Sequence, residues 1–185
     1  LPEGTQIHPF MDRTELVDKT LHTVSHTLLE GMALVIIVLL LYLHNWKGAF
    51  LVAITIPLSL LIAFILMKLT NIPANLLSLG AVDFGILVDG AIVMMETILK
   101  KRERHPGERL VEDSIIKRTT EVARPIFFST LIIITAYLPL FAFEHIERKL
   151  FTPMAYTVGY ALVGALCVAL LLIPGLSFVA YRKPQ

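Results

Sequence analysis

Charged side chains are scarce in this sequence. Asp, Glu, Lys and Arg together make up 17% of it, against 56% hydrophobic residues. A soluble domain of 185 residues carries more charge and fewer apolar residues, so that class is excluded. With a formal net charge of +1, nucleic acid is not an expected partner. Cysteine is nearly absent. Cys167, inside an apolar run, has no second cysteine for an internal disulfide and reads as a small packing residue. Histidine is missing from the interior of every apolar run: His8, His22, His26, His44, His105 and His145 lie outside the runs or at their edges. A b-type haem needs buried axial ligands, so no haem is expected, nor any other cofactor. No G-x-S-x-G, Walker or H-E-x-x-H pattern occurs, which removes the basis for ATP-driven transport and intramembrane proteolysis. No basic leader precedes the first apolar run and the chain starts at Leu1, so it reads as a piece cut from a longer polypeptide.

What is abundant is long apolar runs. Mean hydropathy is +0.74. A helix that crosses a bilayer needs about 20 predominantly apolar residues. Five runs come close, at 28–44, 49–69, 76–99, 125–143 and 154–180. The expected fold is therefore all-α and integral to the membrane. Pro57 lies inside the second run and removes a backbone donor, which predicts a kink there. Pro139 and Pro174 lie in the last two. The segment 1–27 reads as an outer segment with an amphipathic helix lying on the membrane surface, since Leu16, Leu21, Val24 and Leu28 recur between polar residues. The segment 100–124 is the most basic connection and reads as a cytoplasmic loop with its own amphipathic helix. Cytoplasmic loops collect Lys and Arg. This puts 100–124, the turn after the first run, and Arg182 and Lys183 inside, and the start of the chain outside.

The third run holds the chemistry. It reads "DFGILVDGAIVMMET" from Asp83 to Thr97 and places Asp83, Asp89 and Glu96 among Leu, Ile, Val, Phe and Met. A charged side chain at the bilayer centre costs roughly 2.5–3.5 kcal/mol on insertion scales, so intramembrane acids default to a function. Three readings stand. The acids are structural and paired with Lys or Arg, or they handle protons or cations, or the segment does not cross. Asp89 and Glu96 stand two turns apart on one face, about 10 Å along the axis, and Asp83 is turned about 120° from Asp89. Gly85, Gly90 and the adjoining Ala91 let another helix approach closely. No Lys or Arg stands near the centre of any run, so a cationic partner for a buried acid belongs to a helix outside this chain. Possible metal-binding side chains are Met94, whose thioether suits soft ions, and the pair His22 and His26 on the outer helix. The plain alternatives are apolar filling for the first and a solvated face for the second.

This run resembles the fourth transmembrane helix of the heavy-metal-efflux branch of the resistance-nodulation-division (RND) transporters, which reads D-F-G-x-x-x-D-G-A-x-x-x-x-E-N in the divalent-cation members. Asp83, Phe84, Gly85, Asp89, Gly90, Ala91 and Glu96 match, and Thr97 stands where the family has Asn. The stretches "DRTELVDKTLHTV", "HNWKGAFLVAITIPLSLL", "RPIFFSTLIIITAYLPLF" and "KLFTPMAYTVGYAL" are similar to the segments around the second, third, fifth and sixth helices. The resemblance implies helices two to six of twelve, from one of two six-helix repeats. It implies that Asp83, Asp89 and Glu96 relay protons, with Asp89 matching the essential Asp. It implies a homotrimer in the lipid of the bacterial inner (cytoplasmic) membrane, coupled to a periplasmic adaptor and an outer-membrane channel. The first helix, the porter domains and the second repeat would come from the rest of the same polypeptide. The acid pattern resembles the cobalt, zinc and cadmium branch. Copper or silver efflux, another RND substrate, and a structural or assembly module that moves nothing alone are the alternatives.

Overall fold

The computed structural model describes residues 13–72, 84–104 and 112–181, and among these every element is helical. In chain order they are α1 (Arg13–Leu43), α2 (Trp46–Ala53), α3 (Thr55–Leu69), α4 (Phe84–Arg104), α5 (Glu112–Tyr137), α6 (His145–Cys167) and α7 (Ile173–Tyr181). Several expectations concern residues outside this set: Asp83, the first part of the third run, the middle of the basic connection, and Arg182 with Lys183.

Three described stretches are long and apolar enough to cross a membrane: Trp46–Leu69, Thr119–Ala142 and His145–Tyr181. The apolar part of α1, Leu29–Leu43, is shorter. The expected third run is described only from Phe84 onwards.

The helices run further than the sequence pattern suggests. The amphipathic helix and the first run are one unbroken rod of 31 residues, about 46 Å long at 1.5 Å per residue. The basic connection does not form a separate helix over its described part. Its start extends α4 to Arg104, and its end is the first half of α5, which carries Pro125 inside it. The polar stretch after the fourth run is helical from His145, whose φ of 55° sets the turn into α6. In each case polar and charged residues mark a departure from the apolar core, not an end to the helix. Lys, Arg and Glu are good helix formers.

Prolines set the local distortions. Pro57 has no N–H to return to the carbonyl of Ala53, and the chain breaks at Ile54 between α2 and α3, with a stretched Leu58 N–H to Ile54 carbonyl bond of 3.4 Å. At Pro139 the end of α5 tightens into a 3₁₀ turn, Leu138–Ala142. Before Pro174 the helix widens into a π segment, Val168–Leu172, and Ile173 donates to the carbonyl of Val168.

Two features close the bundle. His44, at φ 48°, reverses the chain between α1 and α2. Asn45 then caps α2 by accepting the Gly48 N–H at 3.1 Å, and the same oxygen accepts from the Tyr181 hydroxyl at 3.0 Å, which pins the end of α7. α3 and α6 lie against each other through Gly164, where a Cβ would stand 2.9 Å from the carbonyl oxygen of Ser59. At that contact Ala63, Ala161 and Leu162 are fully or nearly fully buried, and Thr157 donates to the sulfur of Met67 at 3.4 Å. Thr130 and Thr135 donate to carbonyls of their own helix, at 2.9 and 2.8 Å. Cys167 is exposed, so it is not the packing residue that its apolar surroundings suggest. The outer faces of α1, α2 and α5 show Leu34, Leu41, Phe50, Ile132 and other large apolar side chains, as a lipid-facing surface requires.

Gly164→Ala puts a methyl group against backbone and is expected to destabilise the bundle by about 1–3 kcal/mol, the usual cost of overpacking. Gly159→Ala, where a Cβ meets nothing within 4 Å, is expected to be neutral or slightly stabilising. Thermal unfolding of the two variants in detergent, compared with the parent, checks the pair.

Candidate functional site

α4 is the central helix: it touches α1, α2, α3, α5, α6 and α7. Leu87, Val88, Ala91, Met94, Met95, Ile98 and Leu99 are its buried positions; all but Leu87 belong to the larger apolar core, and Leu87 to the smaller one with Ala63 and Ala161. They recur at spacings of three and four, the period of one helical face. Gly90 stands where α4 meets α5, since a Cβ there would come within 2.9 Å of Ile126 Cγ2. Ala91 has no exposed surface at all. A larger side chain at either position would push the helices apart.

The opposite ridge of α4 is uncovered. Gly85, Asp89, Val93 and Lys100 are exposed, and Glu96 and Thr97 are half-buried. Asp89 and Glu96 therefore share the open side of a helix whose other side is sealed. Asp83 lies just outside the described residues. Thr97 donates its hydroxyl to the carbonyl of Val93 at 2.8 Å, so at this position the polar group is satisfied within the helix itself.

Glu96 has a built environment. Its Oε2 accepts from the Tyr42 hydroxyl of α1 at 3.0 Å, and its Oε1 is ion-paired with Lys100 one turn along α4. The Lys100 side chain is 64% exposed, and a pair of that kind is worth only about 0.3–0.5 kcal/mol. Beside them opens a pocket of about 300 Å³ lined by Tyr42, Leu43, His44, Glu96, Leu99 and Lys100. The expected cationic partner outside the chain is thus not needed for Glu96, because Lys100 supplies one from within. The spacing signals this pair, for Glu followed four residues later by Lys is the favourable helical order. Tyr42 stands 54 positions away, and nothing in the local pattern announces it.

The possible metal ligands fare differently. Met94 has no exposed surface and belongs to the apolar core. Met95 is equally buried and accepts from Ser177 at 3.9 Å. Both are packing residues in this bundle. His22 and His26 are exposed and stack with ring centroids 6.4 Å apart, and His26 faces Glu30 at 3.4 Å. Among the described residues no cluster of three or more His, Cys, Asp or Glu is arranged to hold a metal ion.

Comparison with known proteins bears on the whole chain. The sequence profile of the AcrB/AcrD/AcrF family matches residues 1–183. The cobalt-zinc-cadmium resistance protein CzcA of Cupriavidus metallidurans is 42% identical over 181 residues, which cover 94% of this chain and 17% of that protein. The nickel-cobalt-cadmium resistance protein NccA of Alcaligenes xylosoxydans xylosoxydans is 41% identical over 192 residues, 99% of this chain and 18% of that protein. The cation efflux system protein CusA of Escherichia coli K12 is 38% identical over 184 residues, 94% of this chain and 18% of that protein. A crystal structure of a heavy metal efflux pump superposes with a TM-score of 0.83 at 59% identity, covering 100% of this chain and 18% of that one. The chain thus spans less than a fifth of the length of the relatives it matches.

Met94→Leu conserves volume without the sulfur and is expected to leave stability within about 1.5 kcal/mol of the parent. Met94→Ala opens a cavity and is expected to cost about 2–5 kcal/mol. Denaturation of both variants, with cobalt and silver binding measured on the Leu variant, separates packing from ligation. Loss of ion binding in a stable Met94→Leu protein would restore the ligand reading.

Proposed function

Since the chain belongs to the AcrB/AcrD/AcrF family, among its heavy-metal efflux transporters, we propose that it supplies five membrane-crossing helices of a proton-driven exporter of divalent metal cations. In this reading the runs at 28–44, 49–69, 76–99, 125–143 and 154–180 are helices two to six of twelve. The whole protein sits in the bacterial inner membrane as a homotrimer, with a periplasmic adaptor and an outer-membrane channel. The start of this chain faces the periplasm, and the basic end of α4 faces the cytoplasm.

The observation that carries the proposal is the open acidic ridge of α4. A helix that packs against six others and still leaves Asp89 on an uncovered face is built to meet a further element. The second six-helix repeat would cover that ridge. Asp89 then sits between the two halves, where alternating access changes its surroundings. Protonation removes the charge and with it the desolvation penalty, so the neutral form tolerates a closed, dry interface and the anion does not. One proton entering down about 100 mV delivers about 2.3 kcal/mol. That is the drive for moving a cation the other way. Asp83 and Glu96 extend the path to either side of Asp89, and Gly90 and Ala91 keep α4 close to its neighbours so that the ridge holds its place.

Divalent cations are favoured over copper or silver. The full acid pattern argues for them, relatives named for cobalt, zinc, cadmium and nickel resistance stand at 41–42% identity, and the buried position of Met94 supports packing over a thioether site for soft ions.

Asp89→Asn is nearly isosteric and cannot take up or release a proton. Zinc- or cobalt-coupled proton flux in proteoliposomes of the full-length protein is expected to fall at least about a hundredfold, the scale of a lost proton-transfer group, with folding retained. Undiminished coupled flux would assign the acids a structural role and leave the chain as an assembly module.

A further inference from the structure

Tyr42 is an unusual anchor. Its side chain is large and aromatic, yet 56% of it is exposed. Packing of the ring therefore gives little reason for its position at the end of α1. What it does make is a bond across the bundle, from its hydroxyl to Glu96 Oε2 at 3.0 Å. The other carboxylate oxygen goes to Lys100 on α4 itself. Both oxygens of Glu96 thus have donors, and the one between helices comes from Tyr42. The carboxylate borders the pocket of about 300 Å³, a space that admits several water molecules. The backbone carbonyl of Tyr42 in turn faces His44 Nδ1 at 3.3 Å, at the left-handed residue that ends the helix.

We propose that Tyr42 is a positioning residue for proton passage along α4: its hydroxyl holds the Glu96 carboxylate at the mouth of the pocket and ties the end of α1 to the charge on Glu96. The proposal rests on the reading of α4 as a proton path given above. A proton arriving on Glu96 converts the carboxylate to the neutral acid. The proton leaves to a pocket water as hydronium, and the carboxylate is restored. Hydrogen bonds to an ionised acceptor are about twice as strong as those between neutral groups. The clasp between α1 and α4 is therefore tight while Glu96 is charged and loose while it is neutral. Lys100 loses the Glu96 charge in the same step and is exposed enough to turn away from it. Because α1 is continuous from Leu43 back to Arg13, a loosened end is felt along the entire rod.

The test uses the full-length protein in proteoliposomes with zinc as the cargo. Tyr42→Phe keeps the ring and removes the hydroxyl. Coupled proton flux is expected to fall by about ten- to a hundredfold, the scale of one charge-assisted hydrogen bond, at an unchanged unfolding temperature. Infrared difference spectra between acid and neutral samples supply a readout that packing alone does not move. The carboxyl band that vanishes in Glu96→Gln is expected to shift in Tyr42→Phe. Undiminished flux, an unshifted Glu96 band, or a loss of flux that tracks a lowered unfolding temperature would each overturn the role given to Tyr42. Asp89→Asn, run alongside, separates the levels. If it abolishes flux while Tyr42→Phe leaves flux intact, only the role of Tyr42 fails. If it leaves flux intact, the proton path itself is overturned.

Discussion

A helix that carries carboxylates among apolar residues can be sealed on one side only, and the rest of this bundle follows from that constraint. α4 gives its apolar face to the core through Leu87, Val88, Ala91, Met94, Met95, Ile98 and Leu99, and keeps Asp89 and Glu96 off it. Taking an ionised carboxylate into that core without a partner would cost far more than any single apolar contact returns. The neighbours therefore surround α4 incompletely. Small residues make the covered side tight: Gly90 against Ile126, and Gly48 against Met95 and Leu99, leave almost no room for a Cβ. The rigid, sealed face fixes where the open ridge points.

The prolines serve the same arrangement. Long spans of this kind need local relief where they wrap a central helix, and the break at Ile54, the 3₁₀ turn at Leu138–Ala142 and the π segment at Val168–Leu172 provide it. Each contains a proline or lies within three residues before one, and proline cannot donate a backbone hydrogen bond. In hydrocarbon a missing backbone bond is tolerated where neighbouring helices cover it or local 3₁₀ or π geometry re-satisfies it. Val168 and Ala169 in the π segment are buried, which fits that requirement.

Much of this was legible in the sequence. Apolar runs announced the helical membrane character, and Pro57 announced the break before it. The failures share a cause. The pattern reads a switch from apolar to polar residues as the end of a helix, and at Arg13–Leu43, Glu112–Tyr137 and His145–Cys167 the helix goes straight through the switch. Polarity reports the solvent around a residue, whereas helix continuity depends on backbone propensity, which Lys, Arg and Glu satisfy as well as Leu does. Tyr42 was illegible for a different reason. Its bond to Glu96 joins residues 54 apart, and a contact of that separation exists only once α1 and α4 have been packed. Lys100 is legible by its spacing, four residues after Glu96, but it stands at the end of a run and not at its centre.

The two described acids are held differently, and this bears on how a shared path could work. Asp89 stands one turn from Gly85 on the ridge, and the next residue, Gly90, faces Ile126 on the covered side. Glu96 stands two turns away with Tyr42, Lys100 and a pocket around it. A carboxylate held by donors beside a pocket has its charge stabilised in place and can exchange protons with pocket water. A group on a face that another body can cover responds strongly to that change, since the same charge becomes costly when water is excluded. Energy conversion needs the second kind and access needs the first. In the proposed proton path, Asp89 would supply the second and Glu96 the first, on one ridge of α4.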